Sequence, residues 1–352
     1  MTGALTLSEA QVLFHPQPGW LNTASYGLPP DPAWEALQRA LADWRAGAAP
    51  WEVWDEATGL ARASFARLVG ATPADVAVGA AVSQFVGVIA SGLPDGSRVL
   101  APGIEFGSNL FPYQMHSHRG VTVQTVRTDE LVDHIDESVY LVAVSLVQSA
   151  TGEVTDLEAV SAKARGAGAL LAVDATQAVG WLPVDVHLVD ALVCGGYKWL
   201  CCPRGTAFCY LSPVLRARVL PQAAGWYAGE DVHASYYGPS LTLARDARRF
   251  DLSPAWHCWV GAAPALHVLE QVGVEAVHAY DVALANRFRA GMGLPAADSA
   301  IVSIDAPDAP GRLADAGIRA ATRAGQLRLS FHLYNTGADV DAVLEALDSR
   351  SR

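Results

Sequence analysis

The sequence predicts an α/β protein: a large domain built on a mainly parallel sheet, followed by a smaller α+β C-terminal domain. Three observations predict it. From about residue 52 to 210, short apolar runs bounded by Gly, Pro or polar residues alternate with stretches of helical periodicity. After Ser212 the texture changes to a long aromatic loop, 223–245. The tail then returns two short apolar runs and a helical stretch. Residues 20–240 are the expected large domain, and 1–19 with 241–352 the expected small one.

Taken in order, residues 8–14 read as a helix and 19–30 as an irregular loop. A second helix, 31–46, starts at Pro30-Asp31-Pro32 and carries Trp34, Leu37, Leu41 and Trp44 at helical spacing. Residues 52–68, 84–91, 157–167 and 254–272 read as helices in turn. The runs at 76–78, 99–101, 121–126, 139–144, 169–173 and 191–194 read as buried strands. Residues 301–304 and 326–331 are strands of the tail, and 337–347 is its helix.

Composition narrows the function. With 352 residues, 51% of them hydrophobic and 17% charged, the chain can bury a large core. A formal charge of −12 argues against nucleic acid or an anionic membrane surface as partner, since both need a basic footprint. Residues 1–16 show no basic segment ahead of an apolar stretch, so no signal peptide is expected. No apolar run approaches the length of a membrane span. Cys194, Cys201, Cys202 and Cys209 crowd into one apolar stretch, with Cys258 apart. They read as reduced thiols of a cytoplasmic protein, and adjacent Cys201-Cys202 lack the spacing of a metal site.

Of 24 basic residues only Lys163 and Lys198 are lysine. Lys163 falls on a polar helical stretch. Lys198 sits in Cys-Gly-Gly-Tyr-Lys-Trp-Leu-Cys-Cys, among apolar neighbours. Where arginine serves nearly everywhere, such a lysine suggests chemistry a guanidinium cannot do: losing its proton and attacking a carbonyl. A lysine snorkelling beside Trp199 is the purely structural alternative.

Ligands in open α/β sheets bind beyond the carboxyl ends of the strands. Asp174 directly follows one apolar run, with Thr176 and Gln177 next. Lys198 follows another through Gly195-Gly196 and Tyr197. After 76–78 come Gly79, Ala80, Ala81, Val82 and Ser83, small residues leading into a helix, a seat for a phosphate. A carboxylate and an amine at neighbouring strand ends form either an ion pair or a pyridoxal phosphate site. In the second case Asp174 keeps the pyridine nitrogen protonated. Lys198 then forms a Schiff base and shuttles protons.

The run Val173-Asp174-Ala175-Thr176-Gln177-Ala178-Val179-Gly180, then Pro183-Val184-Asp185, Asp190, Tyr197-Lys198 and Pro203-Arg204-Gly205, resembles the class V aminotransferase family of fold-type I pyridoxal phosphate enzymes. Kynureninases, isopenicillin N epimerase-like proteins and C–S lyases are the members most similar in motif. The resemblance implies pyridoxal 5'-phosphate on Lys198, Asp174 at the ring nitrogen and Gln177 near the ring hydroxyl. It implies Phe106 against the ring and Tyr197 reaching the phosphate, with Ala81, Val82 and Ser83 around it. Ser149 lies in the turn that faces the ring hydroxyl or substrate. Ser253 resembles a residue given to a neighbouring subunit's phosphate, which implies a homodimer with its active site at the interface. Arg328, in Gln326-Leu327-Arg328-Leu329-Ser330-Phe331, matches the arginine that clamps the substrate carboxylate. Asn22, Ser25 and Tyr26 resemble the loop that closes over substrate.

Departures from the pattern also inform. Gln148-Ser149 replaces a Ser-Asn turn, and Gly195 replaces a phosphate-binding serine. No cysteine occurs between Gly317 and Leu327, where desulfurases carry their nucleophile, and Cys258 reads as core. Trp226, Tyr227 and Trp256 belong to an aromatic segment that reads equally as pocket wall or as dimer packing. The expected activity is therefore β-elimination on a small amino acid, C–S lyase-like. Transamination, epimerisation and kynureninase-like C–C cleavage are the alternatives, and a non-catalytic binding module on the same fold is the reading of another class.

Overall fold

Runs of four or five consecutive apolar residues can bury both faces, and here they become the middle of a sheet. In the computed structural model, which describes residues 4–348, the strands are β1 (Val76–Gly79), β2 (Arg98–Pro102), β3 (Thr122–Val126), β4 (Leu141–Ser145), β5 (Leu170–Asp174), β6 (Ala191–Gly195) and β7 (Ala207–Leu211). Residues 1–3 and 349–352, the outer ends of the expected small domain, lie outside the described residues.

The sheet order is β1-β7-β6-β5-β4-β2-β3. β7 alone runs opposite to the other six strands. Strands β4, β5 and β6 are buried along their whole length, whereas edge strand β3 is polar and half-exposed. All the strands that carry candidate residues thus end at one rim. A second sheet, β8 (Ile301–Ile304), β10 (Gln326–Ser330) and β9 (Ala321–Arg323), is antiparallel and packs on helices Val274–Gly291 and Gly337–Leu347 around Leu284, Phe288, Leu329 and Val343.

The α/β class and mainly parallel sheet are as expected. Helix Asp31–Ala46 is as read, and Val82–Ser91 starts two residues early. The first helix is shorter, Leu7–Gln11, because a Thr6–Glu9 capping box starts it early and Phe14 then turns inward onto Tyr334. Helix Val274–Gly291 escapes the sequence because its buried stripe, Val277, Leu284, Ala285 and Phe288, is interrupted by a buried Asp281. Strand β7, the three-residue β9 and the short helices Phe111–Gln114, Pro213–Arg216 and Ala309–Asp315 also escape the periodicity.

One buried ion pair ties the sheet edge to the segment that follows the aromatic loop. Arg62 donates to Asp251 through both terminal nitrogens, at 3.2 and 2.6 Å, and to the Val76 carbonyl at 2.7 Å. Asp251 also accepts the Val78 amide at 2.8 Å, so the pair pins β1. Arg62 cannot shed its charge, so Asp251→Asn leaves it buried and unmatched. The expected loss is about 3–5 kcal/mol, read in denaturant melts; a loss under about 1 kcal/mol would mean the pair is not the tie described.

Candidate active site

The rim beyond β1, β4, β5 and β6 encloses a cavity of about 290 Å³. Asp174, the last residue of β5, and Lys198, three residues past β6, both line it. So do Ala81, Val82 and Ser83 at the start of helix Val82–Ser91, together with Phe106, Ser149, Gln177 and Tyr197. Sequence reasoning had not assigned Ser108, Ser145, Thr176, Arg204 and Thr206 to the site, yet they line it too. Thr176 was signalled by its position after Asp174, and Arg204 by the Pro-Arg-Gly turn.

Lys198 is only 7% exposed. Its Nζ lies 5.6 Å from the centre of the Phe106 ring and 5.7 Å from that of Tyr197. Burial pulls its pKa from 10.5 to about 8; Asp174 opposes the shift, and the Arg328 charge adds to it. Near neutral pH an appreciable fraction of the amine is therefore uncharged and nucleophilic. Asp174 Oδ1 accepts the Thr176 amide at 2.9 Å, and the carboxylate lines the cavity. Burial raises its pKa, countered by the Thr176 bonds and the Lys198 charge.

Close backbone approach fixes the lysine turn. The Gly27 amide donates to the Tyr197 carbonyl at 2.9 Å, and a Cβ at Gly27 would lie 2.0 Å from the Lys198 oxygen. Arg204 lies over the Tyr197 ring at 4.8 Å. Behind the turn, His332 bonds the Trp199 carbonyl at 3.0 Å and Asp281 at 2.8 Å. Burial disfavours the His332 charge, but Asp281 prevails and raises its pKa to about 10. Sequence reasoning missed this pair, whose members are 51 residues apart.

Gln177 is fully engaged within the chain. Its nitrogen donates to Ala24 O and Ser149 Oγ, both at 3.0 Å, and its oxygen accepts from the Trp199 indole at 2.8 Å. Gln148, at the departure from the family turn, donates at 2.7 Å to buried Glu105, which also holds Ser145 beside Phe106. Arg328 is 1% exposed and donates to Ser149 O at 2.5 Å, Ser149 Oγ at 3.2 Å and Ser25 Oγ at 3.0 Å. Ser25 in turn donates to Asn22 Oδ1 at 2.7 Å. Asn22 and Ser25 thus meet Arg328 from the N-terminal loop.

Other expected residues fall elsewhere. Tyr26 is 49% exposed, packs on Trp20 at 4.5 Å and borders an adjoining groove with Trp34 and Cys201. Ser253 is exposed in the loop before helix Trp256–Val272, outside the cavity of its own chain. Trp226, Tyr227 and Trp256 are not brought to Lys198 within one chain. Tyr227 Oη and the Trp256 indole donate to Asp55 at 2.8 and 3.1 Å, and Trp51 stacks on Trp256 at 5.0 Å. The hydrogen bonds to helix Trp51–Leu68 hold the aromatic segment there. Cys258, expected in the core, is half-buried.

The cavity fits pyridoxal phosphate on its own terms. It offers a buried carboxylate, a buried amine, and a helix start with no side-chain cap. Residues 49–299 match the family described as Aminotransferase class-V. The chain belongs to that family. Class-V aminotransferases use pyridoxal phosphate, and membership makes this chain a pyridoxal-phosphate-dependent lyase or transferase. Among curated relatives, an uncharacterized aminotransferase of Bacillus subtilis, YcbU, is 28% identical over 86% of each chain. Isopenicillin N epimerase of Streptomyces clavuligerus is 23% identical over 97% of each. The cysteine desulfurase CsdA of Escherichia coli superposes with a TM-score of 0.84 over 98% of each chain at 21% identity, a likeness of fold. Among the described residues no helix is long and apolar enough to cross a membrane.

Proposed function

We propose that this class-V enzyme removes a leaving group from the β-carbon of a small amino acid, a C–S lyase-like elimination. Bound pyridoxal phosphate supplies an electron sink that makes the hydrogen on the substrate's α-carbon acidic. Asp174 would hold a proton on the ring nitrogen, and Phe106 would stand against the ring. Ser83, Tyr197 and the amides of Ala81 and Val82 hold the phosphate. Gln177 steadies Ser149, and Arg328 takes the α-carboxylate while Asn22, Ser25 and Tyr26 close the N-terminal loop over it. Lys198 would anchor the cofactor and is placed to take the proton at the α-carbon.

The observation that carries this reading is the single base. Asp174, Tyr197, Lys198 and Arg204 are the ionisable residues lining the cavity, and across from Lys198 Nζ stands the apolar Phe106 ring at 5.6 Å. One base on one side suits elimination. Epimerisation wants a second acid or base opposite. The tight β9–β10 hairpin, with no cysteine between 317 and 327, supports elimination over desulfuration. Transamination is the second reading, supported by the relative named as an aminotransferase.

A homodimer would complete the site. Phe111 and Met115, both exposed, line an apolar groove of about 990 Å³ that shares Phe106, Ser83 and Ser108 with the cofactor cavity. Ser253 and the segment of Trp226, Tyr227 and Trp256 would serve across that interface. In this arrangement residues 20–240 carry the cavity, and the segments 1–19 and 241–352 bring Arg328.

The test is turnover of β-substituted amino acids by cofactor-loaded protein, assaying keto acid, ammonia, sulfide and racemised product. Elimination gives keto acid and ammonia in equal amounts with no acceptor present. Transamination gives at most one equivalent of keto acid per site and no ammonia until a second keto acid is supplied. A loaded protein that turns over none of them would sink both readings.

A further inference from the structure

Strands β9 and β10 are joined by Ala324 and Gly325, both at positive φ, 47° and 80°, as a two-residue hairpin turn requires. That turn fixes the register: Arg323 pairs with Gln326, and Ala321 with Arg328. Residues two apart on a strand share a face, and so do directly paired residues. Arg323 and Arg328 therefore project from the same face, one diagonal step apart. Both reach one hydroxyl, Ser25 Oγ, from Nη2 at 3.3 and 3.0 Å.

Every hydrogen-bond partner of the two guanidinium groups is a hydroxyl or carbonyl oxygen; no carboxylate of the described residues reaches either. Arg323 is exposed and meets buried Arg328 at Ser25, and Arg328 in turn reaches Ser149 in the cavity lining, so the pair stands at the outer edge of the site. Two like charges aimed at one edge of a site, with no protein anion between them, make a receptor for an external one. A single α-carboxylate accounts for Arg328 and leaves Arg323 unmatched.

We propose that Arg323 binds a second acidic group, at the far end of the substrate side chain, so that the enzyme's substrates are amino acids whose leaving group is anionic. This rests on the assignment of Arg328 to the α-carboxylate. Arg323 is half of a two-point clamp: one guanidinium fixes the backbone end of the substrate, the other its tail.

The test compares S-carboxymethylcysteine with S-carbamoylmethylcysteine, which differ by one negative charge at nearly equal size. Calorimetry on cofactor-free protein gives both dissociation constants. Wild type is expected to prefer the acid by about 10- to 100-fold, the range of a hydrogen bond to a charged group. Arg323→Gln brings the ratio to about one, Arg323→Lys keeps part of it, and Arg328→Lys weakens both ligands together. A wild-type ratio near one, binding of neither ligand, or a ratio that survives Arg323→Gln overturns the proposal. A thermal melt of Arg323→Gln matching wild type excludes misfolding as the cause of a lost ratio. A parallel absorbance scan of loaded protein tests the cofactor reading separately, because the calorimetry uses no cofactor.

Discussion

Lys198→Ala is expected to lower turnover by about 10³-fold or more, within the range typical of a lost general base and on top of the lost anchor. Nothing nearby can replace it. Lys163 is the only other lysine, and it is exposed on helix Leu157–Ala167, far in sequence from the rim. The substitution empties the space of four side-chain atoms beside Phe106 and Tyr197, room for methylamine to enter and restore part of the rate. Rescue by a small amine separates lost chemistry from a damaged fold. The pH dependence has a definite sign. Burial lowers the Lys198 pKa to about 8, so the neutral amine gains population as pH rises through that value. Only the neutral amine attacks an aldehyde. Cofactor uptake by cofactor-free protein should accelerate from pH 7 to 9, followed as growth of visible absorbance. A variant that keeps its visible band and its rate would remove Lys198 from the chemistry altogether.

The sequence revealed the centre of the site better than its surroundings. Asp174 and Lys198 were legible because strands of the buried type are short, unbroken apolar runs whose ends can be read to a residue or two. Nine of the ten expected cofactor-binding residues line one cavity, and the tenth, Ser253, is exposed outside it. Arg328 and Ser25 were reached only through family resemblance: no local pattern says that residues 303 positions apart share a hydrogen bond. The same holds for His332 and Asp281, whose charges make sense only once helix Val274–Gly291 packs behind Trp199. The aromatic segment was ambiguous for a different reason. Trp and Tyr suit pockets and interfaces alike, and within the chain they are held by Asp55, a surface-looking acid that accepts from both Tyr227 and Trp256. Arg323 went unremarked because β9 has three residues, two of them exposed, too few to show an alternation.

Replacing Arg328 by Met should move stability and function in opposite directions. The guanidinium is buried, its Nε has no partner, and burial, reinforced by Arg323, holds its pKa down at about 10. A depressed pKa on a base means the folded state disfavours the charge it carries at neutral pH, a cost that the Ser149 and Ser25 bonds offset in part and a bound anion would offset further. An unbranched apolar side chain of similar length relieves that cost. The cofactor-free protein should gain about 1–3 kcal/mol, a rise of a few degrees in Tm. Substrate binding should suffer more. A bidentate, charge-assisted pair with a carboxylate is lost, and KM should rise by about 10²- to 10³-fold. Ser149 Oγ keeps Gln177 and Ser25 keeps Asn22, so neither hydroxyl is orphaned; the Ser149 carbonyl loses its Nη1 donor, a cost of about 1 kcal/mol that the relieved burial of the charge must exceed. If Arg328 were instead a structural strut between the N-terminal loop and the Ser149 turn, the same substitution would lower Tm along with affinity. The direction of the Tm shift therefore distinguishes a residue kept for its ligand from one kept for the fold.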